Sequence, residues 1–398
     1  MHPHPRLAIV ATHPIQYQAP WFAHLAMRLR AQVHVFYLWD FGIASRHDPG
    51  FGLKVRWDID LLAGYEHRFV ENHAARPGTD HFRGLRNESL VDEIHTWKPD
   101  AILLLGYRYW SYLRVLASRK LRGIPLLFRG DSHLLAERRD PLARLAKRAS
   151  LRLLFRRFDA VLPVGKFNAA YFHRHGVPSQ KMFPAPHAVD HERFSATRSD
   201  LPEAARLWRR RLGIPPAHRV ILFAGKFEKK KRPGDLIRAF AESNLRDATL
   251  LLVGAGPLEN ELRCLAGDHA RIRFAPFQNQ AAIPRVYAAA DLVVLPSFGP
   301  GETWGLVINE ACSAGRAVLV SDHVGCHGEL VQPERNGLVF PAGDVVALRG
   351  ALDRAMSDPS RLRAWGVTGR AIVQSSFTYR HATEGLQRAL DFVLPGNR

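Results

Sequence analysis

Cysteine is scarce: the 398 residues hold three (Cys264, Cys312, Cys326), none in a CxxC pair, which excludes a disulfide framework and a Cys-rich zinc site. No uninterrupted apolar run approaches the roughly 18 residues that a membrane-spanning helix needs. The apolar stretch 7–11 is too short for a secretory h-region and runs into His13-Pro14, so no export signal is expected. Tandem repeats and low-complexity tracts are also missing. Acidic residues are few, 37 Asp+Glu against 56 Lys+Arg, for a net charge of +19. A hydrophobic share of 46% with 23% charged residues excludes wholesale disorder and fibrous repeats. The expectation is a soluble protein of a reducing, cytoplasmic compartment, long enough for two domains.

What is present begins with that positive field, spread over both halves with a bias to the first. It favours anionic partners: nucleic acid, phosphorylated small molecules or an acidic membrane surface. Short apolar runs at 7–11, 33–38, 101–105, 125–128 and 160–164 alternate with helical patterns such as 21–30 and 109–120. The second half repeats the scheme at 220–224, 249–253, 271–275, 292–296 and 317–321. Strands alternating with helices imply parallel sheets covered on both faces, hence two doubly wound α/β domains. A Pro- and Ser-bearing stretch between about 186 and 212 reads as the boundary. Ligands of such sheets bind at the carboxyl ends of the strands, so the loops there carry the argument.

Ser297-Phe298-Gly299-Pro300-Gly301-Glu302-Thr303-Trp304-Gly305-Leu306-Val307-Ile308-Asn309-Glu310 is a strand end, a Gly/Pro loop and a helix start. Amides at a helix start bind anions, and carboxylates such as Glu302 and Glu310 accept sugar hydroxyls. Together they describe a pocket for a phosphorylated sugar or nucleotide sugar; alternatively Glu302 is a cap and Glu310 a solvated helix residue. Gly225-Lys226-Phe227-Glu228-Lys229-Lys230-Lys231-Arg232 crowds cations at another strand end, where they can neutralise a diphosphate while Gly225 lets backbone approach it. Gly254-Ala255-Gly256 reads as a tight strand-to-helix turn that lets a ligand come close, not as a dinucleotide fingerprint.

In the first half, His13, Gln16 and Tyr17 lie in the loop after the first strand, and Asp131 and His133 follow the strand at 125–128. The former can touch an acceptor and the latter can orient its hydroxyl. Asp58 and Asp60 spell a D-x-D, too short a motif to carry a metal–diphosphate site. His323, Cys326 and His327 near Cys312 fit no standard zinc spacing. Residues 138–157 concentrate Arg138, Arg139, Arg144, Lys147, Arg148, Arg152, Arg156 and Arg157 against Asp140. Leu142, Leu145, Ala146, Ala149 and Leu153 share a helical face opposite Arg144, Lys147, Arg148, Arg152 and Arg156, an amphipathic pattern suited to an anionic membrane; an ordinary surface helix packed on the sheet is the alternative.

The run PSFGPGETWGLVINEACSAG with Glu302-x7-Glu310, the AGKFEKKKRP loop and VGAGP resemble the retaining GT-B glycosyltransferases of family four. The resemblance covers essentially the second half, with Ser321-Asp322 and Glu329-Leu330-Val331 in place. THPIQYQAPWF and WDIDLLAGY are similar to a bacterial surface-polysaccharide branch. It implies an α/β GT-B fold, two Rossmann-like domains facing an interdomain cleft. Residues 1–190 would bind acceptor, 191–212 link, 213–375 bind the nucleotide sugar, and 376–398 return as a helix to the first domain. It implies a catalytic set of Glu302, Lys231 and Lys226, with Asp131 and His133. Donor contacts would come from Gly225, Lys226, Lys231, Gly254, Phe277, Gln278, Glu302, Thr303, Trp304, the helix-start amides of Gly305, Leu306 and Val307, and Glu310. Phe277 and Gln278 would lie near the base, Glu310 on the ribose. Three positions depart from the family pattern: Asp131 where a histidine is frequent, His187-Ala188-Val189-Asp190 for Asn-Gly-Val-Asp, and Thr303-Trp304 for Pro-Phe. The implied partners are a nucleotide-diphosphate sugar, a glycan or lipid-linked acceptor and an anionic membrane surface, with no cofactor, no metal and no nucleic acid. An epimerase or phosphorylase of the same fold, and a basic nucleic-acid-binding protein, remain the alternatives.

Overall fold

The computed structural model describes residues 4–136, 141–195 and 198–395. It divides into two compact units, Met1–Arg46 with Asp60–His187 and Tyr379–Arg398, and His47–Ile59 with Ala188–Thr378.

The first unit opens with strands β1 (Arg6–Ala11) and β2 (Gln32–Tyr37), after which the chain makes a separate two-stranded ribbon of β3 (Arg46–Asp48) and β4 (Leu53–Val55). The main sheet continues with β5 (Glu66–Phe69), β6 (Ala101–Leu104), β7 (Leu126–Phe128) and β8 (Ala160–Val161). Its order is β5-β2-β1-β6-β7-β8 and every pairing is parallel. Side chains alternate across a strand. Ala8, Val10, Phe36, Leu104 and Phe128 therefore enter one core, while Leu7, Ile9, Val35, Leu103 and Leu127 enter another on the opposite face. The helix Tyr379–Val393 covers that second face with Ala382, Leu386, Ala389 and Leu390. It is pinned there as Trp21 Nε1 donates to Thr383 Oγ1 at 3.3 Å and Arg30 pairs with Asp391 at 2.9 Å.

The second unit repeats the plan with β9 (Arg219–Ala224), β10 (Ala248–Val253), β11 (Ile272–Ala275), β12 (Leu292–Leu295), β13 (Ala317–Ser321) and β14 (Gly337–Phe340). The order is β11-β10-β9-β12-β13-β14, again wholly parallel. Counted within each sheet, both orders are 3-2-1-4-5-6, the doubly wound arrangement with helices on both faces. Burying each large aliphatic side chain of these strands contributes roughly 1.5–3 kcal/mol. The switch point, where a crevice opens at the strand ends, lies between β9 and β12.

Two expectations of the sequence are revised. The stretch 191–212 belongs to the second unit, and most of it is helical, His191–Phe194 and Leu201–Arg211. The latter buries Leu201, Ala205 and Trp208, because a polar segment with one apolar stripe packs as a helix and not as a tether. Residues 47–59, placed by sequence in the first domain, cluster with the second unit.

Candidate active site

The loops after β9 and β12 meet at the switch point. The β9 loop contains a short 3-10 turn, Lys229–Lys231, before the helix Pro233–Ala241. The β12 loop leads to the helix Leu306–Ser313. Phe298 N–H donates to the Lys230 carbonyl at 2.8 Å, tying the loops together. Lys231 Nζ forms an ion pair with Glu302 Oε2, whose other neighbour is the Ser297 hydroxyl, donating at 2.9 Å. Both members are mostly buried, with side-chain exposures of 15% and 11%. Glu302 is further fixed through its backbone, as Gly325 N–H donates to its carbonyl at 3.1 Å.

Glu310 sits about one turn into the helix Leu306–Ser313 and accepts from the Tyr287 hydroxyl. Burial holds its carboxyl above the ordinary range, against the opposing pull of the Tyr287 hydrogen bond and of Arg193 and Lys231. Arg193 itself is clamped by Gln280 Oε1 at 2.7 Å. Lys231 thus acts electrostatically on both glutamates. The helix starts on Gly305, left-handed at φ 97° and with no side-chain cap. A Cβ on Gly305 would fall 2.7 Å from Val324 Cγ1, so only glycine fits. A helix start without a capping side chain leaves first-turn amides, those of Leu306 and Val307, for an outside anion.

Other expected donor residues divide. Gly225 at φ 156° has nothing nearer than Phe223 Cζ at 4.0 Å where a Cβ would be, which leaves its backbone approachable. Gly254 does not serve a ligand in that way: a Cβ there would lie 1.9 Å from the Gly225 carbonyl oxygen, so the glycine admits neighbouring backbone. With its φ of 155°, Gly254→Ala is expected to cost about 3 kcal/mol through overpacking and strain, read as a lowered chemical-denaturation midpoint. Trp304 is 3% exposed, donates its indole N–H to Asn309 Oδ1 at 2.7 Å and packs on Phe377. It is a core residue and not a donor contact; Thr303 beside it is half-buried. Gln278 Oε1 accepts from Arg285 at 3.0 Å, and Phe277 is edge-on to Phe51 with ring centroids 4.6 Å apart. Lys226 is engaged by Asp48, whose two carboxylate oxygens lie 2.8 and 3.0 Å from Nζ. Asp48, Phe51, Arg193, Tyr287 and Ser297 were not singled out from sequence; only Ser297, within the quoted run, lay next to a recognisable signal.

In the first unit a separate polar group forms at the carboxyl ends of β1 and β7. Arg129 is buried, donates to the carbonyls of Ala185 and Pro186 at 3.3 and 3.2 Å, and lies over Trp21. Desolvation lowers its guanidinium to about 10. Asp131 faces His187, with Nε2–Oδ2 at 3.9 Å, and Tyr17 lies edge-on to the same imidazole at 5.7 Å. Burial raises the Tyr17 hydroxyl above its ordinary value and lowers the His187 imidazole, so Asp131 faces a neutral ring near neutral pH. Asp131 thus faces His187, while His133, the other candidate of that loop, is 2% exposed and its Nδ1 accepts from Leu135 N–H at 3.2 Å. His13 packs edge-on to Trp39 and Phe41, and Gln16 lies half-buried in the turn before the helix Ala19–Arg28.

The residues of the shorter motifs make the following contacts. Asp58 Oδ1 accepts from Ala281 N–H and Asp60 Oδ1 from Leu62 N–H, both at 2.9 Å, so the first ties the segment to the 279–281 loop and the second serves a local turn. Cys312 and Cys326 are buried, the Cys312 thiol pushed up to about 12 by desolvation, and His323 Nδ1 accepts from Gly299 N–H. Among the described residues no group of three or more His, Cys, Asp and Glu could hold a metal ion. Of the basic segment, 138–140 lie outside the described residues. The helix Pro141–Phe155 buries Leu151 and Phe155, while Leu142, Leu145 and Leu153 stand 79%, 65% and 68% exposed. No helix among the described residues is long and apolar enough to cross a membrane.

Comparison with known proteins follows the same partition. Residues 205–371 match the model of the glycosyl transferases group 1 family, and residues 66–187 match the glycosyl transferase 4-like domain. Anabaena HepE, solved with UDP and glucose, superposes with a TM-score of 0.72 at 19% identity, over 98% of this chain and 100% of that one. The chain belongs to the family-four glycosyltransferases of the GT-B fold.

WaaG, a glycosyltransferase of lipopolysaccharide biosynthesis, shares the fold at TM-score 0.68 and 17% identity, over 98% of this chain and 100% of that one. Among curated relatives, the D-inositol 3-phosphate glycosyltransferase of Nocardia farcinica is 34% identical over 47% of this family member and 43% of its own length. A GDP-mannose-dependent phosphatidylinositol monomannoside mannosyltransferase of Corynebacterium glutamicum is 31% identical over 52% and 55%. The chain thus spans about half the length of the curated relatives it matches.

Proposed function

We propose that the chain moves a sugar from a nucleoside-diphosphate sugar to a hydroxyl of a glycan or lipid-linked acceptor, with retention of configuration. The observation that carries this is Lys231 paired with Glu302 and acting on the buried Glu310, with a helix start that has no side-chain cap, at the switch point of a doubly wound sheet. Breaking the glycosidic bond throws negative charge onto the diphosphate. Lys231 and the amides of Leu306 and Val307 meet that charge as it develops, and stronger binding there than in the ground state is what accelerates the step. Glu310 receives ribose hydroxyls and Glu302 the transferred sugar. Retention then follows from a same-face route in which the leaving phosphate oxygen takes the acceptor proton. Asp131, the more exposed partner of the His187 pair, orients the acceptor hydroxyl. Lysines and amides supply the countercharge, so turnover is expected to survive EDTA. The two family matches and the relatives' activities favour transfer over the epimerase, phosphorylase and nucleic-acid readings. A panel of nucleotide sugars, read by thermal shift and then by product analysis, tests it; no stabilisation by any member at millimolar concentration contradicts it.

The acceptor side includes a membrane. A helix with three exposed leucines, flanked by Arg144, Arg148 and Arg152, combines apolar insertion with attraction to anionic headgroups. Co-sedimentation is expected with vesicles containing phosphatidylglycerol and not with phosphatidylcholine alone. Replacing Leu142, Leu145 and Leu153 by Ser should reduce the bound fraction by about tenfold or more; unchanged sedimentation refutes membrane docking by this helix.

A further inference from the structure

The ribbon of residues 47–59 lies on the loops that the donor reading assigns to diphosphate and base. Asp48, 7% exposed, places both carboxylate oxygens on Lys226 Nζ at 2.8 and 3.0 Å. Its Oδ1 also accepts from Gly50 N–H at 2.8 Å and Phe51 N–H at 3.1 Å, so the turn itself aims the carboxylate. The turn sits tight on the loop: a Cβ on Gly50 would fall 2.6 Å from Lys226 Nζ and 2.4 Å from Glu228 Oε1. Phe51 is held edge-on to Phe277, with Lys226 Nζ 4.8 Å above its ring. Farther along, the Arg56 carbonyl accepts from Asn279 Nδ2 at 2.7 Å and Asp58 accepts from Ala281 N–H at 2.9 Å.

We infer that Asp48 is a further residue of the donor site, a resident carboxylate that exchanges with the donor's diphosphate on Lys226. This rests on the donor reading above. One ammonium offers one positive charge, and the carboxylate already satisfies it. A diphosphate brought to the same nitrogen stands beside a buried like charge, which water screens poorly. The diphosphate therefore binds in full only when the ribbon turn lifts from Lys226, and the strength of the Asp48 pair sets part of the donor affinity. The attachments of Arg56 and Asp58 lie on the 279–281 loop, away from Lys226, so the turn at 48–51 can move while the ribbon's far end stays attached.

Titration calorimetry with UDP, GDP and ADP on the full chain and on Asp48→Asn tests this. The asparagine keeps an oxygen for the Gly50 and Phe51 amides and removes the charge. The affinity for whichever diphosphate the unmodified chain binds is expected to rise about tenfold, and Phe51→Ala, which frees the turn from Phe277, should act in the same direction. Hydrogen exchange on the unmodified chain gives a second reading: residues 48–52 should lose protection when the diphosphate binds. An affinity unchanged or weakened in Asp48→Asn, or protection at 48–52 that persists or increases with nucleotide, overturns the exchange and leaves the donor reading standing. Failure of all three nucleotides to bind either chain overturns the donor reading, and the exchange with it.

Discussion

Replacing Lys231 by Met is expected to weaken nucleoside-diphosphate binding roughly a hundredfold and to remove transfer. The first figure is the worth of charge-assisted contacts to phosphate, about 2–3 kcal/mol. The same change strips the countercharge from Glu302, which is 8% exposed. A buried ion pair that loses one partner costs about 3 kcal/mol or more, so the variant should also melt lower. These two effects separate in Lys231→Met combined with Glu302→Gln. Neutralising the stranded carboxylate should restore most of the stability, because the side-chain amide can still accept from Ser297, while binding stays lost. Calorimetry and thermal melts on the three chains decide it. Recovery of nucleotide binding along with stability would mean that Lys231 merely holds Glu302 in place.

Glu310→Gln should move stability and binding in opposite directions. Burial keeps the Glu310 carboxyl above its ordinary value, with Tyr287, Arg193 and Lys231 only partly offsetting it. The folded chain therefore binds a proton more tightly than the unfolded one. The stability this contributes is full below the ordinary carboxylate value, about 4.3, and is lost as pH rises through the raised one. An amide has no such dependence and still accepts from Tyr287. Near neutral pH the variant should melt about 2 °C or more above the unmodified chain, with the gap closing toward pH 4. A neutral amide accepts ribose hydroxyls less strongly than a carboxylate, so nucleotide affinity should fall about tenfold or more. A melting temperature that drops at neutral pH would show that the ionised carboxylate stabilises the empty chain.

Much of this was legible in the chain because the deciding signals are local. Ten strands read from apolar runs reappear as β1, β2 and β6 to β13, most within a residue at either end; the exception is the run 160–164, of which only Ala160–Val161 pairs. Two of the four edge strands of the main sheets escaped: β5, with the sequence EHRF, is mostly exposed and carries no apolar run, and β14, though mostly buried, is only a four-residue GLVF. Glu302, Glu310 and Lys231 were readable because a Gly-rich strand-to-helix loop and a lysine run announce themselves. What sequence could not supply was pairing over distance. Asp48 reaches Lys226 across 178 positions, and His187 stands against Asp131 where His133 is nearer in sequence. Trp304 looks like a pocket residue in the linear motif, and only its burial against Asn309 and Phe377 reveals a packing role.

The most direct measurement is a crystal structure of the chain with the nucleoside diphosphate that stabilises it most. The diphosphate is expected within hydrogen-bond distance of Lys231 Nζ and of the Leu306 and Val307 amides, with a ribose hydroxyl on Glu310. A nucleotide bound elsewhere, or one seated at this switch point with its phosphates turned away from Lys231 and its ribose away from Glu310, would contradict it.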